Sequence, residues 1–242
     1  KASGENTYFA ADIAYHEQKA KRGYDRLINI WGADHHGYIM RVRAGLKALV
    51  GDKPELEVLL GQLVTLLRDG VEVRMSKRTG DMVSLQEVID EIGTDAARFF
   101  LVLKNADTHL DFDLELAKKQ SNDNPVFYVQ YAHARICSIL RKTEGQPLAH
   151  PELSLHPSEL KLLKFLLSFE DDLVMAAERR EPHRIANYLI ELATHFHSFY
   201  HDCKVNVSEQ DVLKNRLALC SAVKRILAEG LDLLGIQAPE SM

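Results

Sequence analysis

The chain has 242 residues, of which 46% are hydrophobic, so it can bury a sizeable core in one large domain or two modest ones. Its 30 lysines and arginines against 35 aspartates and glutamates give a net charge of −5, which means that any nucleic-acid site must be a local basic surface. Three widely spaced cysteines argue against a disulfide framework or a zinc ribbon, and no apolar run approaches the roughly 20 residues of a membrane span, so we expect a soluble cytoplasmic protein.

The N-terminal part of the chain predicts an α/β fold around a short strand. An apolar run at 27–31 ends at Gly32 and is followed by a polar turn at 32–37 and a helical pattern through Leu49. Ligands of open α/β sheets lie beyond the carboxyl ends of the strands, so this turn is well placed for a binding site. A polar turn is also ordinary in strand-to-helix connections, so the turn alone leaves both interpretations open.

A β-hairpin is predicted next. Strand-like runs at 58–67 and 71–75 flank Asp69-Gly70, and Asp-Gly between apolar runs favours a tight turn. The hairpin would deliver the basic segment 74–80 to its exit.

The rest of the chain predicts helices. Ser84 and Glu87 have the spacing of a capping box, and Asn124-Pro125 combines an N-cap residue with proline at the first helical position. Because strand signals stop near residue 115, we predict an α/β domain at 1–115 and an all-α domain at 116–242. The predicted helices are 85–92 and 95–104, separated by Gly93, then 125–142, 185–200 and 213–234.

The segment 74–80 suits a polyphosphate ligand. It places Arg74, Lys77 and Arg78 beside Ser76, so cations can neutralise phosphate charge while the hydroxyl donates a hydrogen bond. A basic turn is also an ordinary solvated surface, and by itself the segment does not decide between the two.

Two motifs together resemble the nucleotide-binding signatures of class I aminoacyl-tRNA synthetases. Met-Ser-Lys-Arg-Thr-Gly follows Gly-Ala-Asp-His by about 40 residues, and its form is similar to that of bacterial arginyl enzymes. The resemblance implies a partial Rossmann-like catalytic domain that binds ATP, with Mg²⁺, through Gly32, Asp34, His35, Met75 and Lys77. It also implies that the phosphates and the reacting centre are contacted by Lys77, Ser76, Arg74 and Arg78.

An acidic and aromatic face is predicted near the N-terminus. Tyr8, Asp12 and His16 are four residues apart, hence on one face if the segment is helical. A carboxylate is the planar acceptor that a guanidinium group needs. The resemblance to arginyl enzymes implies that Tyr8 and Asp12 bind the arginine substrate, and a purely structural hydrogen-bond network is the alternative.

The segment 120–135 resembles the start of the helical-bundle anticodon-binding domain of arginyl enzymes. Aromatic faces there suit unstacked bases and cations suit phosphates, although about half of these side chains are expected to be core or solvated instead. The basic cluster around Arg184 is flanked by glutamates that equally predict a salt-bridged face. The candidate tRNA-binding residues are Gln130, Tyr131, His133, Arg135, Arg141 and Arg184.

A metal site is not expected. His197 and His201 have the i, i+4 spacing of metal ligands on a helix, but the sequence offers no third ligand beside them.

From Tyr8 to Met242 the motifs fall in the order of an arginyl-tRNA synthetase, so the chain resembles the C-terminal portion of one. The resemblance implies ATP-dependent ligation of L-arginine to tRNA(Arg) through an arginyl-adenylate, by an enzyme that is monomeric at full length. The family's His-Ile-Gly-His signature is not in the sequence and the first residue is Lys1, so we expect a piece of a longer protein that does not aminoacylate alone.

Two alternatives stay open at this point. One is a non-catalytic tRNA-binding module that keeps the helical domain. The other is a different class I enzyme such as the cysteinyl synthetase, although three scattered cysteines do not provide the thiol-rich zinc site of that enzyme.

Overall fold

The computed structural model describes residues 7–73, 83–143 and 154–242. The chain forms two compact units, one made of Lys1–Val64 with Ala106–Leu110 and the other of Thr65–Asn105 with Asp111–Met242. The second unit contains residues on both sides of the predicted domain boundary at 115/116, and that boundary stays a prediction. No helix among the described residues is long and apolar enough to cross a membrane.

The first unit is built on a pair of parallel strands joined by a helix. Leu27 pairs with Leu56 and Gly32 pairs with Gly61, and both leucines are buried against the helices. Parallel strands require such a crossover connection, so the predicted strand, turn and helix are confirmed. The elements are α1 (Tyr8–Ala20), β1 (Arg26–Gly32), a 3₁₀ segment (Ala33–Tyr38), α2 (Ile39–Val50) and β2 (Glu55–Gly61).

The predicted hairpin is confirmed, but its first strand is shorter than expected. The apolar run 58–67 is not one strand, because it divides into the end of β2, which pairs with β1, and a separate strand β3 (Val64–Arg68). β3 pairs antiparallel with β4 (Val71–Glu72) across Asp69-Gly70, both of which have positive φ as a tight two-residue turn requires. The sequence did not predict this division into β2 and β3, because an apolar run continues without a break from one sheet to the next.

The second unit begins with a three-stranded sheet and two capped helices. The strand order is β4, β3 and then β5 (Leu110–Asp113), and Gly93 separates the two helices with a φ of +84°. Both halves of the predicted capping box are present, since Ser84 Oγ accepts from Glu87 N and Glu87 Oε2 accepts from Ser84 N. The elements are α3 (Leu85–Ile92), α4 (Thr94–Val102), β5 (Leu110–Asp113) and α5 (Leu114–Lys118).

The remainder of the second unit is the expected helical bundle. Asn124 caps its first helix, because Oδ1 accepts from Val126 N while Nδ2 donates to the carbonyl oxygens of Ala117 and Lys119. The helices are α6 (Pro125–Lys142), α7 (Pro157–Leu167), α8 (Phe169–Arg179), α9 (His183–Asp202) and α10 (Gln210–Leu233). The core side chains that are almost fully buried include Leu189, Leu192, Phe196, Phe199, Leu217, Leu227 and Leu231.

One ion pair of this bundle is buried. Arg216 Nε on α10 donates to Glu159 Oε1 on α7 at 2.6 Å, and Glu159 is only 4% exposed. The other carboxylate oxygen of Glu159 accepts from His156 N at 2.7 Å, so both oxygens are satisfied.

Candidate nucleotide site and nucleic-acid interface

The carboxyl ends of β1 and β2 meet at a pair of glycines. Gly32 and Gly61 are register partners, and the 3₁₀ segment Ala33–Tyr38 begins directly after Gly32. A Cβ atom on Gly32 would lie 2.5 Å from Asp34 Oδ1, so only glycine lets this carboxylate lie against the strand end. Asp34 and His35 are both exposed, with 3.8 Å between Asp34 Oδ2 and His35 Nε2. The predicted polar turn therefore lies at the carboxyl edge of the parallel strands, the edge at which open α/β sheets bind ligands.

The candidate arginine-binding residues lie on α1, which is helical as predicted. His16 is buried, its Nδ1 donates to the Asp12 carbonyl oxygen at 2.8 Å, and the same nitrogen is 3.3 Å from Asp12 Oδ1. Tyr8 is 93% exposed. Asp12 keeps about a third of its side chain exposed (31%), so its carboxylate has room to accept a cationic group.

The sequence did not show what holds His16. Asn29 Nδ2 donates to His16 Nε2 at 2.6 Å, and Lys19 Nζ donates to Asn29 Oδ1 at 2.8 Å. Asn29 stands in the apolar run 27–31, and a polar residue inside a buried strand was the available signal. The chain of bonds fixes the His16 tautomer and places the Asp12 carboxylate.

Aromatic rings lie near Asp12. Tyr38 meets Phe9 edge to face at 5.9 Å between ring centroids and lies 6.1 Å from Trp31. Burial, followed by the negative charge of Asp12, raises the pKa of the Tyr38 hydroxyl. A carboxylate beside aromatic rings offers both a charge-assisted acceptor and apolar faces to a planar cation.

The predicted phosphate-binding segment lies outside the described residues. This applies to Arg74, Met75, Ser76, Lys77 and Arg78 alike. The hairpin strand β4 ends at Glu72, two positions before the segment starts.

Three of the six candidate tRNA-binding side chains bond to the C-terminal segment of the chain. Gln130 Nε2 donates to the Gln237 carbonyl oxygen at 2.9 Å, and it also donates to Asp95 Oδ2 at 2.8 Å. His133 Nδ1 donates to the Pro239 carbonyl oxygen at 2.8 Å, and both Nη atoms of Arg141 donate to the Glu240 carbonyl oxygen at 3.1 Å.

Burial separates His133 from Arg141, and Arg184 has a different partner. His133 is 2% exposed, and burial lowers its pKa, so it is an internal neutral ring rather than a surface contact for RNA. Arg141 is half exposed despite its bonds. Arg184 is paired with Glu181 at 2.5 Å and lowers the pKa of that carboxyl, which is the salt-bridged arrangement that the sequence left open.

The other two candidates, Tyr131 and Arg135, line a cavity of about 380 Å³ between α6 and α9. The Arg135 guanidinium lies 4.3 Å from the centroid of the Tyr200 ring and 5.6 Å from that of Tyr131. Aromatic faces stacked with an arginine are the usual platform for single-stranded bases. Tyr200 is not among the binding residues predicted from the sequence, although it lies one turn after His197 and so on the same helical face.

No metal-ligand group is found in the described part of the chain. There, no three His, Cys, Asp or Glu side chains are grouped closely enough to hold a metal ion.

Comparison with known proteins gives two family matches and several close relatives. Residues 3–115 match tRNA synthetases class I (I, L, M and V), and residues 129–242 match the DALR anticodon binding domain. A curated arginine–tRNA ligase from Desulforamulus reducens is 51% identical over all of this chain, which covers 44% of that protein.

Two solved structures match the fold over the whole chain. A protein assigned as an arginyl-tRNA synthetase in Campylobacter jejuni has a TM-score of 0.91 at 40% identity, with 54% of its chain covered. The Thermus thermophilus arginyl-tRNA synthetase has a TM-score of 0.79 at 26% identity, with 50% covered. The chain therefore spans about half the length of the proteins that it matches.

Proposed function

The chain belongs to the arginyl-tRNA synthetase family, and from that premise we propose that it supplies part of the machinery that joins L-arginine to tRNA(Arg) with ATP. The proposed reaction has two steps. The arginine carboxylate attacks the α-phosphate of ATP and releases pyrophosphate, and a terminal ribose hydroxyl of the tRNA then attacks the arginyl-adenylate and releases AMP. The family assignment favours the arginyl enzyme over the cysteinyl one.

The observation that carries the arginine site is the bonded chain from Lys19 through Asn29 and His16 to Asp12. Because His16 donates to the Asp12 backbone and lies beside its carboxylate, the carboxylate is held near the ring, and among the described residues no lysine or arginine forms an ion pair with it. A preorganised carboxylate binds a guanidinium group without first losing side-chain freedom. Asp12 is accordingly the proposed anchor of the substrate side chain, with Tyr8 on the same helix.

The proposed ATP site uses the carboxyl edge of β1 and β2. Gly32 leaves space at the strand end, and Asp34 and His35 are exposed there. Gly32, Asp34 and His35 are the proposed nucleoside contacts on this edge, and Met75 is proposed as a further one. Lys77, Ser76, Arg74 and Arg78 are the proposed phosphate contacts, where cations would offset the negative charge that develops at the α-phosphate and pyrophosphate. A bound Mg²⁺ would also offset the negative charge of the phosphates.

The proposed tRNA-binding surface is the cavity side of α6 and α9. Tyr131 and Arg135 offer ring and guanidinium faces there. Arg141 and Arg184 are proposed as weaker phosphate contacts, because both already have partners. Gln130 and His133 hold the C-terminal segment instead, so we do not retain them as RNA contacts. As in the sequence analysis, we propose a cytoplasmic enzyme that is monomeric at full length.

The decisive experiment separates the enzyme from a non-catalytic RNA-binding module. The chain would be joined to the part of the Desulforamulus relative that it does not match, and arginylation would be measured for that protein and its Lys77→Ala variant. A loss of rate in the variant supports the enzyme, whereas an inactive parent that still binds tRNA(Arg) supports the module. The 242-residue chain alone is expected to bind tRNA without aminoacylating it, and steady arginylation by it would contradict that expectation.

A further inference from the structure

Lys19 on α1 fixes the orientation of the Asn29 side-chain amide. Its Nζ lies 2.8 Å from Asn29 Oδ1, and the ammonium group is also held 5.4 Å from the centroid of the Tyr15 ring. An ammonium group can only donate hydrogen bonds, so the atom that faces it must be the amide oxygen. The reversed amide would set two donors against each other. The NH₂ group of Asn29 is therefore the part that faces His16.

This orientation determines which nitrogen of His16 carries the ring proton. Asn29 Nδ2 lies 2.6 Å from His16 Nε2, and because an amide nitrogen only donates, Nε2 must accept with its lone pair. The proton then lies on Nδ1, which donates to the Asp12 carbonyl oxygen at 2.8 Å. A ring protonated at both nitrogens would point Nε2–H at the amide hydrogens. The amide therefore holds His16 in its neutral form.

The number of protons on His16 matters for the carboxylate beside it. His16 Nδ1 lies 3.3 Å from Asp12 Oδ1, which is within ion-pair distance, and His16 is only 2% exposed. A buried imidazolium at this place would pair with the carboxylate and compete with any cationic ligand for it. A neutral ring orients Asp12 but leaves the negative charge of the carboxylate available.

Resting on the proposed arginine-binding function of Asp12, we infer that Lys19 is a positioning residue of the substrate site. Through Asn29 it keeps a proton off His16 Nε2 and so reserves the Asp12 carboxylate for the guanidinium group. The inference predicts the opposite of simple charge repulsion. A lysine near a site for a cationic substrate would weaken binding if it acted only through its charge, whereas here the loss of Lys19 weakens binding.

The first test reads the protonation of His16 in the full 242-residue chain. Nitrogen NMR of protein with isotope-labelled histidines distinguishes a neutral ring protonated on Nδ1 from an imidazolium, and the His16 signals are assigned by their loss in His16→Gln. We expect the neutral form in the wild type. Asn29→Asp keeps the size of the side chain but replaces the amide donor with an acceptor, so His16 should gain a proton on Nε2 in this variant.

The second test measures arginine affinity by calorimetry, in the chain joined to the part of the Desulforamulus relative that it does not match. Asn29→Asp should weaken arginine binding by roughly 10-fold, although it adds a negative charge near a cationic substrate. Lys19→Gln should weaken it in the same direction. Lys19→Arg should keep the wild-type affinity, because a guanidinium group also only donates. ATP affinity should be unchanged in all three variants, which a general loss of structure would not allow.

Lys21→Gln is the matched control for the lysine variants. Lys21 carries the same charge two positions further along the chain, but it pairs with Glu17 and is not bonded to Asn29. This substitution should leave both the arginine affinity and the protonation of His16 unchanged.

The possible results separate the inference from the function on which it rests. A wild-type His16 protonated on Nε2, or an Asn29→Asp variant that binds arginine at least as tightly as the wild type, overturns the role of Lys19 and leaves the arginine site in place. If Asn29→Asp folds poorly, Lys19→Gln at its partly exposed position decides in the same way. A joined protein that binds no arginine, or whose affinity is unaffected by Asp12→Asn, removes the proposed arginine site together with the inference.

Discussion

Asn29 in β1 donates a hydrogen bond from its side-chain amide to His16 Nε2 at 2.6 Å, and His16 in turn lies beside Asp12, the carboxylate that we propose for arginine binding. The bond joins a strand to the helix packed on it through two buried polar side chains. It makes Asn29 both a stabilising residue and a positioning residue for Asp12.

Asn29→Leu should lower the free energy of unfolding of the first unit. The substitution leaves His16 Nε2 buried without a donor, which costs about 1 to 3 kcal/mol. Trp31, the single tryptophan, lies in the same strand, so its fluorescence during urea unfolding monitors this unit. Lys21→Ala, which removes an exposed ion pair with Glu17, is the control and should change stability by less than about 0.5 kcal/mol. Equal effects of the two substitutions would contradict the prediction.

Arg216→Ala should strongly destabilise the helical bundle. It leaves the Glu159 carboxylate buried and unpaired, a change that typically costs about 3 to 5 kcal/mol. Arg225→Ala removes an exposed pair with Glu229, at a similar N–O distance of 2.7 Å, and should cost less than about 0.5 kcal/mol. Urea unfolding followed by circular dichroism compares the two. A difference near zero would mean that Glu159 finds water or becomes protonated.

The free energy of unfolding should fall as the pH is lowered from 7.5 to 5. The pKa of His197 is lowered from 6.5 to about 4 in the folded protein, so between these values the unfolded chain binds a proton that the folded one does not. The expected loss at pH 5 is about 2 kcal/mol. The lowered pKa of His133 acts in the same direction. His197→Phe should flatten the profile in proportion, and a variant with the wild-type slope would show that other groups cause it.

Gln130→Ala should reduce stability without reducing RNA affinity. The side chain bonds Asp95 and the Gln237 carbonyl oxygen, so its loss is expected to cost about 1 to 2 kcal/mol of unfolding free energy. Arg135→Ala, in contrast, should weaken binding of a tRNA(Arg) transcript while changing stability less. The pair is measured by thermal unfolding and by anisotropy at one salt concentration, and a fall in RNA affinity for Gln130→Ala would restore that residue to the RNA surface.

Features that depend on neighbours in sequence were predictable. The tight turn at Asp69-Gly70, the capping box at Ser84 and the helix start at Asn124 each satisfy backbone groups within four residues, so a short window contains the whole cause. The division of the run 58–67 between two sheets was not predictable, because its cause is the pairing of β2 with β1.

The roles of the α6 side chains required the tertiary structure. Gln130, His133 and Arg141 have the chemistry of RNA contacts, and nothing near them in sequence shows that the C-terminal segment already occupies them. Their partners lie 107, 106 and 99 residues away. Only the α6 side of the aromatic cavity was predicted. Tyr131 and Arg135 were candidate RNA contacts, whereas Tyr200, the ring nearest to the Arg135 guanidinium, belongs to α9.

The hydrogen bonds from α6 constrain the length of the segment that follows α10 more than they constrain its amino-acid sequence. Gln130, His133 and Arg141 donate hydrogen bonds to the main-chain carbonyl oxygens of residues 237, 239 and 240. Every amino acid provides such an oxygen. Substitutions at positions 237 to 239 should therefore be tolerated better than the insertion or deletion of one residue, which would shift each oxygen away from its donor. Helix α6 thereby fixes the number of residues between the end of α10 and Glu240. The side chains of Ile236, which is buried, and of Glu240, which is paired with Lys224, are constrained as well.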